Sequence, residues 1–222
     1  MNFEVGPAKF WFRTSPSDLN FFCMVKDGIP FVLIPAIVAG GLLFLGFWVV
    51  GTIFLAITAF MAYFFRDPRR VIPAGDDIVV SAADGRVTRI DENENGKLVS
   101  VFLSPFNVHV NRSPIAGTID KIDYVAGKKM PATNDAASLI NERNSLTIVG
   151  SKMTVVCTQI AGILARRIVC WSKAGDNLEA GQRFGMIKFG SRTDLLLPGN
   201  IELLVKVGDR VVGGETIIGK LV

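Results

Sequence analysis

From Ile29 to Phe65 the chain carries no charged side chain, a stretch well beyond the ~20 apolar residues that one spanning helix needs. A cleaved signal has a shorter core, so this segment stays in the mature protein. One tilted span would use only part of it, and Gly40-Gly41 and Gly51 offer places to reverse, so two short helices can fold back as a hairpin. Lys9, Arg13 and Lys26 precede the stretch and Arg66, Arg69 and Arg70 follow it. Positive charge at both ends favours a hairpin whose two ends share the cytoplasmic side of the cell membrane. Trp48 and Tyr63 suit interface anchors, and the Arg66-Asp67-Pro68 step closes the last helix.

Half of all residues are hydrophobic, but the excess lies in that stretch, and the remainder has the polarity of a soluble domain. The sequence divides into residues 1–70, holding the membrane hairpin, and 71–222, near the commonest domain size. A formal charge of +4 is spread through small clusters such as Lys128/Lys129 and Arg166/Arg167. None interleaves with aromatics as a nucleic-acid platform requires, and basic groups beside a membrane segment point to anionic lipid instead. Cys23, Cys157 and Cys170 are odd in number and widely spaced, so neither a disulfide framework nor a metal site is indicated, and a reducing compartment fits.

Beyond Arg70 the pattern turns to short Val/Ile/Thr-rich runs separated by Gly, Asp, Asn and Pro. Strands are predicted at 78–80, 85–90, 98–103, 117–122 and 153–160, with helix or irregular connection at 134–144 and 162–167. The reading is a mainly β sandwich or barrel. Gly175-Asp176-x-Leu178-x-x-Gly181-Gln182-x-Phe184 recurs 33 residues later as Gly208-Asp209-x-Val211-x-x-Gly214-Glu215-x-Ile217. These repeats resemble the β-hammerhead half-motifs of lipoyl and biotinyl carriers, and two copies imply one pseudo-symmetric domain rather than a solenoid.

The chain has one histidine, His109, in Asn107-Val108-His109-Val110-Asn111-Arg112-Ser113-Pro114. A lone histidine is more often structural, yet this one sits in a polar cluster within an otherwise apolar β pattern. Asp84, in Ala83-Asp84-Gly85, reads first as a turn residue. Gly190-Ser191 reads first as a loop, and it lacks the G-x-S-x-G context of a hydrolase elbow.

Together, Ala83-Asp84-Gly85, Val108-His109-Val110-Asn111-Arg112-x-Pro114 and Phe189-Gly190-Ser191, in that order before a short tail, resemble the short bacterial form of the phosphatidylserine decarboxylase proenzyme family. Nearly the whole chain is covered, membrane segment included. The resemblance implies a chain that cuts itself between Gly190 and Ser191. Ser191 attacks the Gly190 carbonyl, an ester forms, and elimination leaves a covalent pyruvoyl cofactor on the downstream α chain and frees the upstream β chain. Glycine at 190 suits close approach at a strained bond. Asp84, His109 and Ser191 would be the self-processing group, a carboxylate orienting a histidine that takes the serine proton. The pyruvoyl carbonyl would then form a Schiff base with phosphatidylserine, releasing carbon dioxide and yielding phosphatidylethanolamine.

The longer members carry a second histidine after the first and cleave in a Leu-Gly-Ser-Thr context. Here Arg112 holds that second place, and the context is Phe-Gly-Ser-Arg. Arg112 is a candidate for the substrate's carboxylate or phosphate, with a plain salt bridge as the alternative. The competing functional reading is a membrane-anchored lipoyl-like adaptor that stays uncut and does no catalysis. Oligomeric state is left open.

Overall fold

The computed structural model describes residues 24–93, 96–127, 140–162, 167–189 and 191–222. A 3-10 turn at Lys26–Gly28 leads into the helices α1 (Ile29–Phe44) and α2 (Trp48–Phe64). Pro30 lies in the first turn of α1, where its missing N–H breaks no bond. The reversal falls at Leu45-Gly46-Phe47 and not at either expected glycine site. Gly46 takes a φ of 83°, open to a residue without Cβ, and the amides of residues 45, 46 and 47 donate to the carbonyls of Gly41, Leu43 and Leu42. Gly40 and Gly41 stay inside α1. Gly51 has a different use, since a Cβ there would lie 2.7 Å from the Leu43 side chain, so its absence lets the helices approach.

Of the helical side chains only Ala39, Gly51 and Phe64 are buried, while Phe44, Trp48 and Val49 are 91%, 68% and 76% exposed. Such surface is wrong for a soluble core helix and right for a helix covered by something apolar. Residues Lys26–Phe44 are long and apolar enough to cross a membrane; α2 is shorter. The two feet of the hairpin meet, with Met24 bridging to Arg66 and the Val25 amide donating to the Phe65 carbonyl at 3.1 Å.

The rest is mainly β. Strands β1 (Ile78–Val80), β2 (Gly85–Asn93), β3 (Gly96–Leu103), β4 (Val110–Arg112), β5 (Gly117–Val125), β6 (Arg143–Val149) and β7 (Thr154–Ala161) make the first half. The second half holds β8 (Arg167–Cys170), β9 (Asn177–Leu178), β10 (Arg183–Lys188), β11 (Ser191–Leu197), β12 (Ile201–Leu203), β13 (Arg210–Val211) and β14 (Ile217–Leu221). A curled eight-stranded sheet runs β13-β2-β3-β11-β7-β6-β5-β9, flanked by the three-stranded sheets β1-β14-β12 and β4-β10-β8. All their ladders are antiparallel.

That order reads the same from both ends if β13, β2, β3 and β11 exchange with β9, β5, β6 and β7. Local geometry repeats accordingly. The register shifts between Val87 and Arg89 in β2 and between Ile119 and Lys121 in β5. Asp176 and Asp209 each accept a bond from the amide three residues back, at 2.8 and 3.0 Å. Gly175 and Gly208 donate to Ile119 and Val87, and Gly181 and Gly214 to Ser113 and Ser81. A Cβ on Gly85 or Gly117 would collide with the carbonyl of Phe102 or Val149, at 2.1 and 2.4 Å. The pseudo-symmetric domain expected from the repeats is therefore visible in its pairing. Its core lies between the sheets, built from Val87, Val101, Leu146, Ile148, Phe184 and Leu195 among others.

None of β4, β6, β8, β11 and β12 is predicted from the sequence, and β9, β10, β13 and β14 are covered only as unranged short strands of the Gly-Asp repeats; Ser191, read first as part of a loop, opens β11. Asn144, expected in a helical or irregular stretch, belongs to β6, and Arg167 opens β8; residues 128–139 and 163–166 lie outside the described residues. β4 and β8 are short and flank polar segments, where alternation is too brief to register.

A second apolar cluster joins the hairpin to the β domain: Val25, Phe64 and Phe65 pack with Val108, Val110 and Met186. Beside it Asp67, 4% exposed, accepts from Arg112 Nη2 at 2.5 Å and from Arg183 Nη1 at 2.6 Å. Arg112 also donates to the carbonyls of Gly181 and Pro68. Burial pulls the Arg112 guanidinium below its ordinary pKa, with Asp67 opposing. Asp67→Ala leaves that cation buried without its counter-charge, and a loss of about 3–5 kcal/mol is expected in detergent-solubilised melting. Arg183→Gln, removing a half-exposed partner, should cost under about 1 kcal/mol; equal losses would contradict this account.

Candidate active site

His109 leads into β4 and is 1% exposed. The turn before it is closed by Asn107, whose Oδ1 accepts from the amide and hydroxyl of Ser104 at 2.9 and 2.6 Å. This fixes the Asn107 carbonyl 2.9 Å from His109 Nδ1. A carbonyl only accepts, so Nδ1 carries the proton and Nε2 presents a lone pair. Nε2 is buried and, among the described residues, has no partner. Burial drives the His109 pKa down from 6.5 to about 4, the Asn107 bond opposing and the Arg66 charge assisting. The imidazole is thus neutral at pH 7, the form a base requires.

Ser191 opens β11, opposite Leu103 of β3 and Ala161 of β7. It is fully buried, and its Oγ also has no partner among the described residues. Gly190 lies outside the described residues. On both sides of Ser191 the chain is tied to the His109 segment. Two residues on, Thr193 Oγ1 accepts from Asn111 Nδ2 at 3.0 Å; two residues back, Phe189 stacks on Phe64 at 4.5 Å, and Phe64 covers His109 at 4.2 Å. Residues two apart on a strand share a face, so Ser191 and Thr193 point the same way. Asn111 is held in turn by Gln159 Nε2 at 2.9 Å, and Asn144 Nδ2 donates to Gln159 Oε1 at 3.1 Å. This buried amide chain leaves the strand little freedom to slip.

Asp84 is not brought to His109. Its carboxylate takes Arg70 Nη2 at 2.8 and 2.9 Å and the Gly213 amide at 2.8 Å. The group orienting Nδ1 is a backbone carbonyl, a partner that residue-type reasoning overlooks. Arg112 is committed to Asp67, as described above, which is the salt-bridge alternative and not an open anion site. Arg192, whose charge beside the Gly-Ser step is unusual, is buried and paired with Asp194 at 2.9 Å.

The site thus holds a buried serine hydroxyl on one segment and, on a segment tied to it, a neutral imidazole whose free lone pair lies on Nε2 beneath the Phe64 ring. The family model described as phosphatidylserine decarboxylase matches residues 57–219. The chain is 46% identical over 214 residues to a phosphatidylserine decarboxylase proenzyme of Symbiobacterium thermophilum, covering 92% of this chain and 99% of that one. Proenzymes of the same name from Geotalea uraniireducens and Gluconobacter oxydans are 44% and 50% identical, covering 89% and 78% of this chain and 96% and 81% of theirs. This chain belongs to the phosphatidylserine decarboxylase family, and the reaction it serves is the decarboxylation of phosphatidylserine.

Phe64, Gln159 and Thr193 escaped the sequence reading, and Arg70 entered it only as a basic flank of the apolar stretch. A second alignment would have helped: Ser81-x-x-x-Gly85-x-Val87 repeats as Ser113-x-x-x-Gly117-x-Ile119, which puts Asp84 where the other half has Ala116 and Arg112 where it has Val80.

The depressed His109 pKa has a sign. With the folded value below the unfolded one, the contribution is complete above pH 6.5 and declines as pH falls toward 4. The full shift is worth on the order of 3 kcal/mol. Between pH 7 and pH 4.5 the wild type should lose more melting temperature than His109→Gln, which cannot protonate; parallel losses would refute the assignment.

Proposed function

We propose that the chain is made as one polypeptide and cuts itself between Gly190 and Ser191, with Ser191 as nucleophile and His109 as its base. The observation that carries this reading is the pair of buried atoms without partners, Ser191 Oγ and His109 Nε2, on segments tied together on both sides of the serine. The Oγ adds to the Gly190 carbonyl carbon while its proton passes to Nε2. The Gly190–Ser191 C–N bond then breaks as the departing nitrogen takes a proton, leaving an ester. Loss of the α-proton of residue 191 expels Gly190 as a free carboxylate, and water replaces the nitrogen of residue 191, releasing ammonia. The product is a pyruvoyl group heading the 191–222 chain, with residues 1–190 as its companion.

The environment suits that group. Residue 191 is enclosed by neighbouring strands, and His109 is uncharged and partnerless on Nε2. When formed, the pyruvoyl carbonyl supplies a sink for the electron pair left as carbon dioxide departs. His109 Nε2, unprotonated at rest, relays a proton to the product and then regains its lone pair. Asn111, Gln159 and Thr193 keep the strand in register, and the aromatic cover excludes bulk water. Asp84, paired with Arg70, acts in this reading at one remove: it fastens the segment after Arg70 to the Gly213 turn. Arg112 serves the same attachment through Asp67, and its availability to the substrate carboxylate or phosphate depends on that pair opening.

The hairpin is read as the membrane anchor, with the β domain from residue 71 onward on the cytoplasmic side, supported by the exposed apolar helices and their basic flanks. The repeated Gly-Asp turns favour the lipoyl-like version of the β architecture.

Intact mass spectrometry of purified protein tests the cut. Two chains, the smaller lacking one ammonia relative to a serine terminus, are expected, and Ser191→Ala should give one uncut, inactive chain. His109→Ala should slow cutting by roughly 100-fold or more. An uncut wild type would favour the adaptor reading, and an active Ser191→Ala would overturn the proposal.

A further inference from the structure

Among the described residues Phe189 is the one non-glycine with a positive φ, 68°. A phenylalanine does not rest in that left-handed region unless its surroundings hold it there. It lies immediately before the Gly190-Ser191 step. What holds its side chain is the last turn of α2: the Phe64 ring stacks on Phe189 at 4.5 Å and 25°, and Phe65 meets the same ring edge-on at 6.4 Å. Phe64 also lies over the His109 imidazole, 4.2 Å away and tilted 33°. Phe64 itself is 0% exposed. One side chain from the hairpin therefore touches both the base and the residue that aims the scissile bond.

We propose that Phe64 is a positioning residue for self-cleavage, clamping Phe189 in its left-handed conformation and sealing His109 from water, so that cutting proceeds only once the hairpin has docked on the β domain. This rests on the self-processing reading above. The clamp acts through geometry, since a phenylalanine ring offers neither proton nor charge. The charge that reaches His109 is that of Arg66. Arg66 is held at the hairpin's foot by the carbonyls of Tyr63 and Phe106 at 2.7 and 2.9 Å. Lys188 and Asp27 pair with each other at 3.5 Å on the flank of the cluster.

The test is the rate at which full-length chain, synthesised without cells in the presence of phosphatidylcholine vesicles, becomes two chains on a denaturing gel, followed from pH 4 to pH 8. Phe60→Ala is the control. Phe60 touches Phe64 and Phe106 at 6.3 and 6.5 Å, so its loss removes equal aromatic bulk from the same cluster without uncovering the base. Phe64→Ala should slow cutting at least tenfold and move the acid limb of the rate profile upward, toward the ordinary histidine range, as water reaches the imidazole. Phe64→Tyr should restore most of the rate and the original profile, and Phe60→Ala should keep both. If wild type and Phe64→Ala cut at one rate with one profile, the inference fails while the self-processing reading stands. If Phe60→Ala is slowed and shifted as much as Phe64→Ala, Phe64 is only packing and the inference fails. If wild type is never cut, the self-processing reading falls first.

Discussion

The buried carboxylate of Asp67 is the joint on which this molecule turns. It comes directly after the hairpin and accepts from two arginines of the β domain, Arg112 at the end of β4 and Arg183 at the start of β10. Those strands are neighbours, paired antiparallel, so one residue fixes the chain leaving the helices against two strands at once. Desolvating such a group is expensive, and it is tolerable here because both oxygens are engaged. The apolar cluster around Phe64 and Phe65 gains its order from the same attachment: with the exit of α2 pinned, the rings can be set against His109 and Phe189 instead of sliding over them.

The proposed chemistry sits where the pseudo-two-fold fails. Position by position, β4 carries Asn111 and Arg112 where β1 carries Val79 and Val80, and Asp84 stands where the other half has Ala116. The conserved framework of the two halves, the Gly-Asp turns and the close approaches at Gly85 and Gly117, is backbone chemistry and is indifferent to those substitutions. The domain can therefore hold one polar, half-satisfied site in a scaffold whose stability comes from a repeated apolar core. A site with partnerless buried atoms costs stability, and a scaffold with its own redundancy tolerates that cost.

Much of this was legible in the sequence. The charge-free stretch announced a hairpin, the Val/Ile/Thr runs gave most long strands, and the single histidine and the Gly190-Ser191 step stood out as residue types. Illegible were the tertiary partners. Nothing local distinguishes Phe64 from the other phenylalanines of the stretch, because its role depends on which way the last turn of α2 faces. Asp84 looked like the orienting carboxylate on residue type alone, yet Arg70 lies close on the chain and takes it, while a backbone carbonyl orients the imidazole. The hairpin's turn was placed at Gly40-Gly41 or Gly51 because residue type alone does not show which glycine takes a positive φ; Gly46 does, beside amides that close the helix end.

Helix length bears on how such a site meets a lipid. At ~1.5 Å per residue, α1 and α2 are about 24 and 26 Å long, shorter than a ~30 Å hydrocarbon core. Their feet are joined on one side by the Met24–Arg66 bridge. In the membrane orientation proposed above, a hairpin of that depth, with basic groups at its feet and apolar surface above, has its feet at the headgroup level. Tyr63, Arg66 and Phe106 lie there, linked by Arg66 donating to the Tyr63 and Phe106 carbonyls and lying over the Tyr63 ring at 3.7 Å. Phe64 and His109 are directly inside that rim. In the proposed orientation the reacting centre is at the plane where a lipid's headgroup already resides, so the substrate need not leave the bilayer. In that orientation the length of the two helices sets the height of the proposed site above the apolar layer.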